Sequence, residues 1–356
     1  MTVAGGGPRA DRVALRTLTP DEALLVPEVW RAAWAPGGAV QDGGPADDRP
    51  ETPRLGATRA WEPGPYPLEE RVWRERLAAH HAPDLLIGAF AGPELVGVAY
   101  GRLPTAAWLP SDVGWVSLLA VAAAWQGMGV GTRLFTELAG RLRAAGAKRF
   151  RLGSEANHLL PGLPQEAPAA AWRLARRAGA RFTAAEHDLH LDLAPPLPAA
   201  PLPAGWRVRD DDPAGALAFV ARAFPGRWTH EVEAYLAAGA TVLTLVDEHA
   251  VGAPDGRAQT QGFCAVFTGD ERLVGPQLYW RLALPSSARV GGMGPLGVDD
   301  SARGGGLGLA IVRAGAEWLK ERGCTDAVIN WTTLTTFYGK LGARVWRTYQ
   351  RAEGPL

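Results

Sequence analysis

The chain has 356 residues, with 37 lysines and arginines balanced by 37 aspartates and glutamates, so no net charge draws it to a nucleic acid or a membrane surface. Its two cysteines, Cys264 and Cys324, are too few for a disulfide framework or a metal cluster and are typical of a reducing compartment. Because the first twelve residues lack the apolar core of a signal peptide and no segment approaches the ~18 apolar residues of a membrane span, we expect a cytoplasmic bacterial protein.

The first half of the chain shows helix and strand patterns separated by one long irregular stretch. Residues 12–18 alternate as a short strand, and Pro20 with Asp21 begins a helix that extends to Trp34. From Ala35 to Pro67 the composition shifts to glycine, proline, aspartate and arginine, which predicts either a functional loop or an unstructured excursion. The elements predicted next are a helix at 69–80, strands at 85–90, 95–103 and 113–121, a helix at about 129–145 and a strand at 148–154.

A proline-rich segment, Ala194–Gly205, divides the chain. Proline does not fit a helix interior or a central strand, so we expect a semi-extended linker between an N-terminal domain at 11–193 and a C-terminal domain at 206–352. Antiparallel strands followed by alternating strands and helices predict an α/β fold (α+β mixed sheet), with a mostly antiparallel sheet flanked by helices in each domain. The second half is predicted to contain a strand at 206–210, a helix at 214–223, a loop at 224–236, strands at 241–247, 261–268 and 292–298, and a helix at 306–322.

One glycine pattern occurs twice at constant spacing, in LAVAAAWQGMGVGTRLF (119–135) and LGVDDSARGGGLGLAIV (296–312). In each copy an apolar strand ends in Leu-x-Val, at Val121 and Val298. Five residues later, Gln126 or Arg303 opens the pattern Gln/Arg-x-x-Gly-x-Gly. Both offsets are 177 residues, since 298 − 121 equals 303 − 126. A period of this length indicates duplication of a whole domain.

A glycine turn between a strand and a helix has the properties of a phosphate site. The first N–H groups of the helix are unpaired and the positive end of its dipole lies behind them, while glycine permits close approach and positive φ. A tight turn without a ligand is the alternative. The Walker pattern is absent, because Gly339-Lys340 is followed by leucine. The GxGxxG at Gly292–Gly297 precedes the strand end and opens no helix, so it does not predict a dinucleotide site.

The repeated motif resembles motif A of the GNAT superfamily of acetyl-CoA-dependent N-acetyltransferases. INWTTLTTFYGKLGARVWRTY (329–349) resembles motif B of the same family, so the second copy matches both motifs in order. The first copy keeps motif A, but AAWRLARRAGARF (170–182) retains only the turn at Gly179. Alignment through that glycine places Ala175 where the second copy has Tyr338. The resemblance covers nearly the whole chain and indicates two GNAT domains in tandem.

The resemblance implies acetyl-CoA as co-substrate, no metal, and a set of site residues. Tyr338 would be the general acid, since a phenol with a reference pKa of about 10 is protonated at neutral pH and can donate to a thiol sulfur of reference pKa about 8.5. Its alternative role is packing beside Phe337. Val298 would offer its N–H to the thioester carbonyl. The implied cofactor-binding residues are Leu296, Val298, Arg303, Gly304, Gly305, Gly306, Gly308 and Asn330, together with Val121, Gln126, Gly127, Gly129 and Gly131 in the first domain.

No general base is evident in the sequence. His230, Glu231, Asp299 and Asp300 are candidates, yet each also fits a helix cap or a solvated face, and an acceptor amine can lose its proton through water. His158 of the first domain could act as an acid or base, or be an ordinary polar residue of a loop. Trp228 and Trp331 are candidates for an acceptor pocket or for the core.

Our leading hypothesis is an N-acetyltransferase with a catalytic C-terminal domain, in which an amine of a small molecule or peptide attacks the thioester directly. The N-terminal domain would bind acetyl-CoA without turnover or be a structural remnant. Two alternatives remain: an acetyl-CoA-sensing module, and a two-site acyltransferase resembling mycothiol synthase, another tandem protein of this family. We expect a monomer or homodimer without nucleic-acid or membrane partners. Acceptor choice in this superfamily lies in loops, here 35–67 and 224–236, which contain no recognisable pattern.

Overall fold

The computed structural model describes residues 13–34, 66–79, 82–248, 259–285 and 287–356, and most of the predicted loop at 35–67 lies outside these ranges. The described residues form two compact units. Unit 1 contains those up to Ala185 together with Tyr349–Leu356, and unit 2 contains those from Glu186 to Thr348. The predicted domain end at residue 193 therefore lies within unit 2, and residue 352, the predicted end of the second domain, lies within unit 1.

Unit 1 begins with β1 (Val13–Thr17), α1 (Pro20–Ala23), α2 (Val26–Ala33) and α3 (Glu70–Ala79). The sequence predicted one helix from Pro20 to Trp34, but the structure interrupts it at Leu24 and Leu25. Thr19 and Glu22 form a capping box at the start of α1. Pro27 lacks an N–H for a continuous helix and instead occupies the first turn of α2, where no N–H partner is needed.

The sheet of unit 1 is mixed, as predicted. β1 to β4 pair antiparallel in chain order, and β4 pairs parallel with β5. Glu353–Pro355, in the last strand of the chain, pair antiparallel with β5, where Glu353 also contacts Arg149 at 3.2 Å and Arg151 at 2.9 Å. The remaining elements are β2 (Leu86–Ala91), β3 (Glu94–Arg102), β4 (Val113–Val121), α4 (Val130–Ala144), β5 (Arg149–Leu152), β6 (Leu163–Pro164), α5 (Ala169–Arg177) and the start of β7 (Arg181–Asp192).

Helix α4 packs closely on this sheet because glycines in the strands leave room for its leucines. Leu134, Leu138 and Leu142 repeat every four residues along one face of the helix and are fully buried. A Cβ at Gly101 would lie 2.6 Å from Leu138 Cδ1, and one at Gly114 would lie 2.9 Å from Leu142 Cδ2. The strand glycines therefore set the distance between α4 and the sheet.

Unit 2 repeats this architecture. Its strands lie in the order β8-β9-β10-β11-β12, with β11 and β12 parallel, and His187–Asp192 of β7 pair antiparallel with β12. No helix in the described ranges is long and apolar enough to cross a bilayer. The elements are β8 (Trp206–Arg209), α6 (Pro213–Ala223), α7 (Arg227–Ala237), β9 (Thr241–Asp247), β10 (Gln259–Phe267), β11 (Val290–Val298), α8 (Leu307–Glu321), β12 (Asp326–Thr332), α9 (Thr335–Gly339) and β13 (Arg344–Pro355).

The proline-rich segment 194–205 contains neither helix nor strand, as predicted. It is not a free spacer, because Leu197, Ala200 and Leu202 pack against the core of unit 2. Lys320 Nζ, in the last turn of α8, donates to the carbonyl oxygens of Ala194 and Pro195 at 3.2 and 3.3 Å. The segment is therefore part of the surface of unit 2.

Candidate functional site

The two glycine turns have the same backbone conformation. Gly127 and Gly304 have φ of 77° and 91°, and Gly129 and Gly306 have φ of 86° and 81°. These left-handed values favour glycine, which explains its presence at both positions. Gly129 and Gly306 then cap α4 and α8, two helices of 15 residues each. The repeat seen in the sequence is therefore also a repeat in structure.

Each turn presents unpaired helix N–H groups to open space. No side chain of the described residues caps the start of α4 or α8. A Cβ added at Gly304, Gly305 or Gly306 would meet no atom within 4 Å, and the same is true at Gly129. Such a cradle, with a helix dipole behind it, suits a phosphate group.

Gln126 and Arg303 turn their side chains back to the preceding strand. Gln126 Nε2 donates to the carbonyl oxygens of Val121 and Ala33, both at 2.9 Å. Arg303 Nε lies 3.4 Å from the carbonyl oxygen of Val298. Val121 and Val298 each lie five residues before the side chain that contacts them. These side chains therefore brace the turn and leave its backbone amides for a ligand.

The parallel strands separate just before each glycine turn. β5 pairs with β4 only along Val113–Val116, and β12 pairs with β11 only along Val290–Met293. Beyond these residues, β4 and β11 continue to Val121 and Val298 and leave an opening beside them.

The amides of Val121 and Val298 are directed into these openings. The next residues along each strand, Ala122 and Asp299, donate to the neighbouring antiparallel strand at 2.9 and 2.7 Å. Because successive N–H groups of a strand point to opposite edges, the Val121 and Val298 N–H groups point away from that neighbour. An extended ligand with its own amide and carbonyl groups could pair with the free strand edge.

A β-bulge lies at the point of separation in both units. In unit 1 it leaves Ser117 unpaired between Val116 and Leu118, and in unit 2 it falls at the equivalent place, within Gly294–Pro295 between Met293 and Leu296. The buried Ser117 Oγ has no hydrogen-bond partner among the described residues. In unit 2, Gln277 Nε2 donates to the Gly294 carbonyl oxygen.

Tyr338 lies in α9 and shares one core cluster with Val298. Only 5% of its surface is exposed. Burial is the main cause that raises the pKa of Tyr338 above the usual 10. Charge repulsion with the nearby Cys264 adds to this rise in pKa, and a hydrogen bond with Thr332 opposes it. The phenol is therefore neutral and able to donate at physiological pH. Its ring also packs edge-on against Phe337 at 4.9 Å, so the acid role and the packing role both fit its position.

The structure supports the alignment of Ala175 with Tyr338. The Ala180 N–H donates to the Ala175 carbonyl at 3.0 Å, and the Ala343 N–H donates to the Tyr338 carbonyl at 3.4 Å, with the same spacing of five residues. Each is followed by a left-handed glycine, with φ of 81° at Gly179 and 92° at 342. Unit 1 therefore has the same turn without the phenol.

A cavity of about 340 Å³ lies in unit 1. It is bounded by the glycine turn, the free part of β4, the helix α5 and the segment between β5 and α5. Its lining includes Ser117, Gln126, Gly127, Gly129, Gly131 and Ala175. All the predicted motif A glycines of the first copy thus face one space, together with the position that replaces the tyrosine.

Asn330 was predicted to bind cofactor, and the structure places its side chain against Asp188. Asn330 Nδ2 donates to Asp188 Oδ1 at 2.7 Å, and the Trp331 N–H donates to the same oxygen at 3.1 Å. Trp331 has a left-handed φ of 55° at a break in the pairing of β12. Asp188, which is buried, therefore fixes this irregular strand end, and the sequence reasoning missed it.

The acidic candidates for a general base have structural roles. The buried Glu231 pairs with Arg227 at 2.8 Å, and the Arg227 guanidinium lies 4.1 Å from the centre of the Trp331 ring. Asp299 accepts from the side chain and backbone of Ser301, which lowers its pKa. Asp300 pairs with the exposed Arg303 side chain at 2.7 Å. None of these contacts indicates a base poised to accept a proton.

Comparison with known proteins identifies the family. Residues 50–160 and 208–343 match the Acetyltransferase (GNAT) family. The chain belongs to this family. Both matched stretches include a glycine turn, so the tandem arrangement inferred from the repeat is confirmed. The family uses acetyl-CoA, and the residues fit that ligand, because each unit combines a phosphate cradle with a free strand edge for the amide groups of pantetheine.

Individual relatives are more distant. Mycothiol acetyltransferase from Salinispora arenicola is 32% identical over 186 residues, or 46% of this chain and 54% of that protein. The chain thus spans about half the length of the curated relatives that it matches. A solved tandem GNAT protein from the clavulanic acid biosynthesis pathway has a TM-score of 0.60 at 17% identity, covering 96% of this chain and 98% of that one. A GCN5-related glucosamine N-acetyltransferase region of a fungal enzyme has a TM-score of 0.74 at 21% identity, covering 96% of this chain and 38% of that one. These two structures share the fold.

Proposed function

We propose that this GNAT protein transfers an acetyl group from acetyl-CoA to an amine of a small molecule or peptide, and that unit 2 carries out the reaction. The observation that carries the proposal is the buried, neutral Tyr338 phenol, which shares a core cluster with the strand end at Val298. Unit 2 combines this phenol with an uncapped glycine turn and a free strand edge. Unit 1 has the turn and the edge but has Ala175 in place of the phenol.

In the proposed reaction, bound acetyl-CoA supplies a thioester. The amides from Gly304 to Gly308 bind its pyrophosphate, and the Val298 N–H donates to the thioester carbonyl, which gains negative charge as the amine attacks. The new C–N bond forms, the C–S bond breaks, and the proton of the amine leaves to solvent.

Tyr338 stabilises the departing sulfur in this scheme. Full proton transfer from a phenol of pKa above 10 to a thiolate whose acid has a pKa of about 8.5 costs at least about 2 kcal/mol. The neutral phenol therefore acts by donating a hydrogen bond to the developing thiolate, and the thiolate takes a proton from solvent as CoA leaves. This role needs a phenol that stays protonated, which burial provides.

The test is a thiol-release assay with acetyl-CoA and a panel of amines that includes amino sugars, polyamines, amino acids and peptides. Once an acceptor is found, Tyr338→Phe should lower kcat by about 10²- to 10³-fold with little change in KM for acetyl-CoA. Tyr235→Phe, which removes another buried hydroxyl of unit 2, is the matched control and should keep kcat within about threefold. Unchanged turnover in Tyr338→Phe would refute the assignment.

A second candidate is a protein in which both units bind acetyl-CoA, either as a two-site acyltransferase resembling mycothiol synthase or as a sensor. The duplicated turn, the free edge at Val121 and the cavity in unit 1 favour it. Met128 and Gly305 occupy the same place in the two turns, and neither has a left-handed φ. Met128→Glu and Gly305→Glu therefore bring a negative charge to each phosphate cradle without imposing left-handed strain.

Calorimetric titration of acetyl-CoA into these two variants separates the possibilities. Two sites in the wild type, each lost with its own variant, would support two binding units. A single site lost only in Gly305→Glu would make unit 1 a scaffold for acetyl-CoA chemistry. Absence of acetyl-CoA binding in the wild type would refute the proposed function as a whole.

A further inference from the structure

The segment between the glycine turn and the turn at Gly179, which follows α5, is longer in unit 1 than its counterpart in unit 2. The glycine turns are 177 residues apart, but Gly179 and Gly342 are only 163 apart, so the first copy has 14 additional residues. They fall between the end of β5 and the start of α5, at 153–168, where unit 2 passes from β12 to α9 through Thr333 and Leu334. This segment, which we call the inserted loop, forms part of the cavity wall.

Buried charges fix the inserted loop in place. Glu155 is 2% exposed and pairs with the buried Arg76 at 3.2 Å, while Arg102 Nη1 donates to the Ala156 carbonyl oxygen at 2.9 Å. Ser154 and Asn157 have left-handed φ values of 64° and 49°, which shape the loop between these contacts. The cavity wall is therefore a built feature, in which an ion pair within the protein holds the backbone.

The cavity is bounded mainly by apolar side chains. The inserted loop contributes Leu160 and Leu163, and helix α5 contributes Leu174 and Ala175. The polar side chains of the lining are Ser117, Gln126, Thr132, Arg173 and Arg177, and the buried Ser117 hydroxyl lacks a partner among the described residues. An apolar space with one unpaired hydroxyl suits a ligand that is mostly hydrocarbon and has a polar atom near the bulge of β4.

Ala175 is the main difference from unit 2 along this wall. In unit 2 the ring of Tyr338 fills the corresponding place and packs against Phe337. In unit 1 the alanine leaves that place to the cavity. A ligand held by the glycine turn of unit 1 therefore has more apolar room beside its sulfur than one held in unit 2.

We propose that unit 1 binds a CoA thioester whose acyl group is an aliphatic chain longer than acetyl. The inference rests on the proposed function, because the glycine turn must hold CoA for the acyl chain to reach the cavity. The pyrophosphate lies at the turn, the pantetheine follows the free edge of β4, and the chain occupies the space between Ala175 and the inserted loop. The Val121 N–H donates to the thioester carbonyl, as the Val298 N–H does in unit 2.

The preference should be large enough to measure. Burial of one methylene in an apolar site raises affinity about fourfold, the equivalent of about 0.8 kcal/mol. Butyryl-CoA has two more methylenes than acetyl-CoA, so we expect its Kd at unit 1 to be about 15-fold lower. Hexanoyl-CoA should bind more tightly again if the cavity admits the whole chain.

The experiment titrates acetyl-, butyryl- and hexanoyl-CoA calorimetrically into the full chain carrying Gly305→Glu, which leaves the site of unit 1 for observation. A fall in Kd from acetyl- to butyryl-CoA supports the proposal. Equal or weaker binding of butyryl-CoA overturns it, and so does the absence of binding by all three. If the wild type still binds acetyl-CoA at a site lost in Gly305→Glu, either negative result leaves the proposed function standing.

Substitution in the cavity tests its role directly. Ala175→Tyr, made in the same Gly305→Glu background, introduces the residue found in unit 2. It should abolish the gain in affinity from acetyl- to butyryl-CoA while keeping the Kd for acetyl-CoA within about threefold. Ala171→Leu, a second and milder change on the same helix, should reduce the gain and serves if the tyrosine variant does not fold. The reciprocal Tyr338→Ala in a Met128→Glu background should give unit 2 a preference for butyryl-CoA. Retention of the full gain in both α5 variants would overturn the placement of the chain.

Discussion

Asp188 offers a quantitative test of how the end of β12 is held. Its Oδ1 accepts from Asn330 Nδ2 and from the Trp331 N–H, and the side chain is 1% exposed. Two hydrogen bonds to a charged acceptor contribute about 3–6 kcal/mol together, and truncation relieves the desolvation of the carboxylate. We therefore expect Asp188→Ala to lower the free energy of unfolding by about 3 kcal/mol. Asp188→Asn keeps an acceptor in place and should cost about half as much.

Differential scanning calorimetry measures this effect. In a domain of this size, about 3 kcal/mol corresponds to a fall in Tm of about 6–12 °C. Glu233→Ala, at an exposed position of α7 in the same unit, is the control and should shift Tm by no more than about 2 °C. If Asp188→Ala also stayed within 2 °C of the wild type, the carboxylate would not be what fixes Trp331 in its left-handed conformation.

Three further predictions follow from burial. The pKa of Tyr338 is higher in the folded state than in the unfolded state. The stability that the neutral phenol contributes is therefore complete below about pH 10 and is lost as pH rises through the folded-state pKa. Above about pH 10 the urea midpoint of the wild type should fall more steeply than that of Tyr338→Phe. Burial raises the pKa of the Cys264 thiol to about 12. Ellman's reagent at pH 8 should therefore leave this thiol unmodified in the native protein and modify it in guanidinium. A rapid reaction of Cys264 in the native protein would contradict its burial. Gly101→Val in β3 places side-chain carbon against Leu138 of α4 and should lower the unfolding free energy by about 1–3 kcal/mol. Gly140 lies in α4 beside open space, so Gly140→Ala should raise the unfolding free energy by about 0.5–1 kcal/mol. Urea titration of both variants checks these opposite signs.

Local sequence patterns predicted most elements because they depend on near neighbours. The strands at 113–121 and 241–247 match the structure at both ends, and the helices after the glycine turns match within a residue. The turn itself could be predicted because left-handed φ and close approach both require glycine. The break between α1 and α2 was missed, although Pro27 was its signal.

Features that depend on distant residues were not predicted. The alternating pattern of β13 indicates a strand but does not say that Tyr349–Pro355 pair with strands of unit 1. Asp188 looks like one polar residue in the run EHDLHLD, and its partners lie more than a hundred residues away. The loss of the tyrosine at Ala175 was visible in the sequence, but the space that it leaves depends on the inserted loop packed around it. The unequal offsets of 177 and 163 residues were the available signal for that loop.

The pairing of Glu353–Pro355 with β5 sets an order of events during synthesis. A ribosome adds about 5–20 residues per second, so about 10–30 s separate the emergence of Ala185 from that of Tyr349. During that interval the nascent first unit has an unpaired strand edge at β5, which is a site for chaperone binding or for misassembly between chains. The sheet of the first unit thus stays incomplete while the second unit is translated. Slow translation of 186–348 should therefore increase aggregation of the nascent chain.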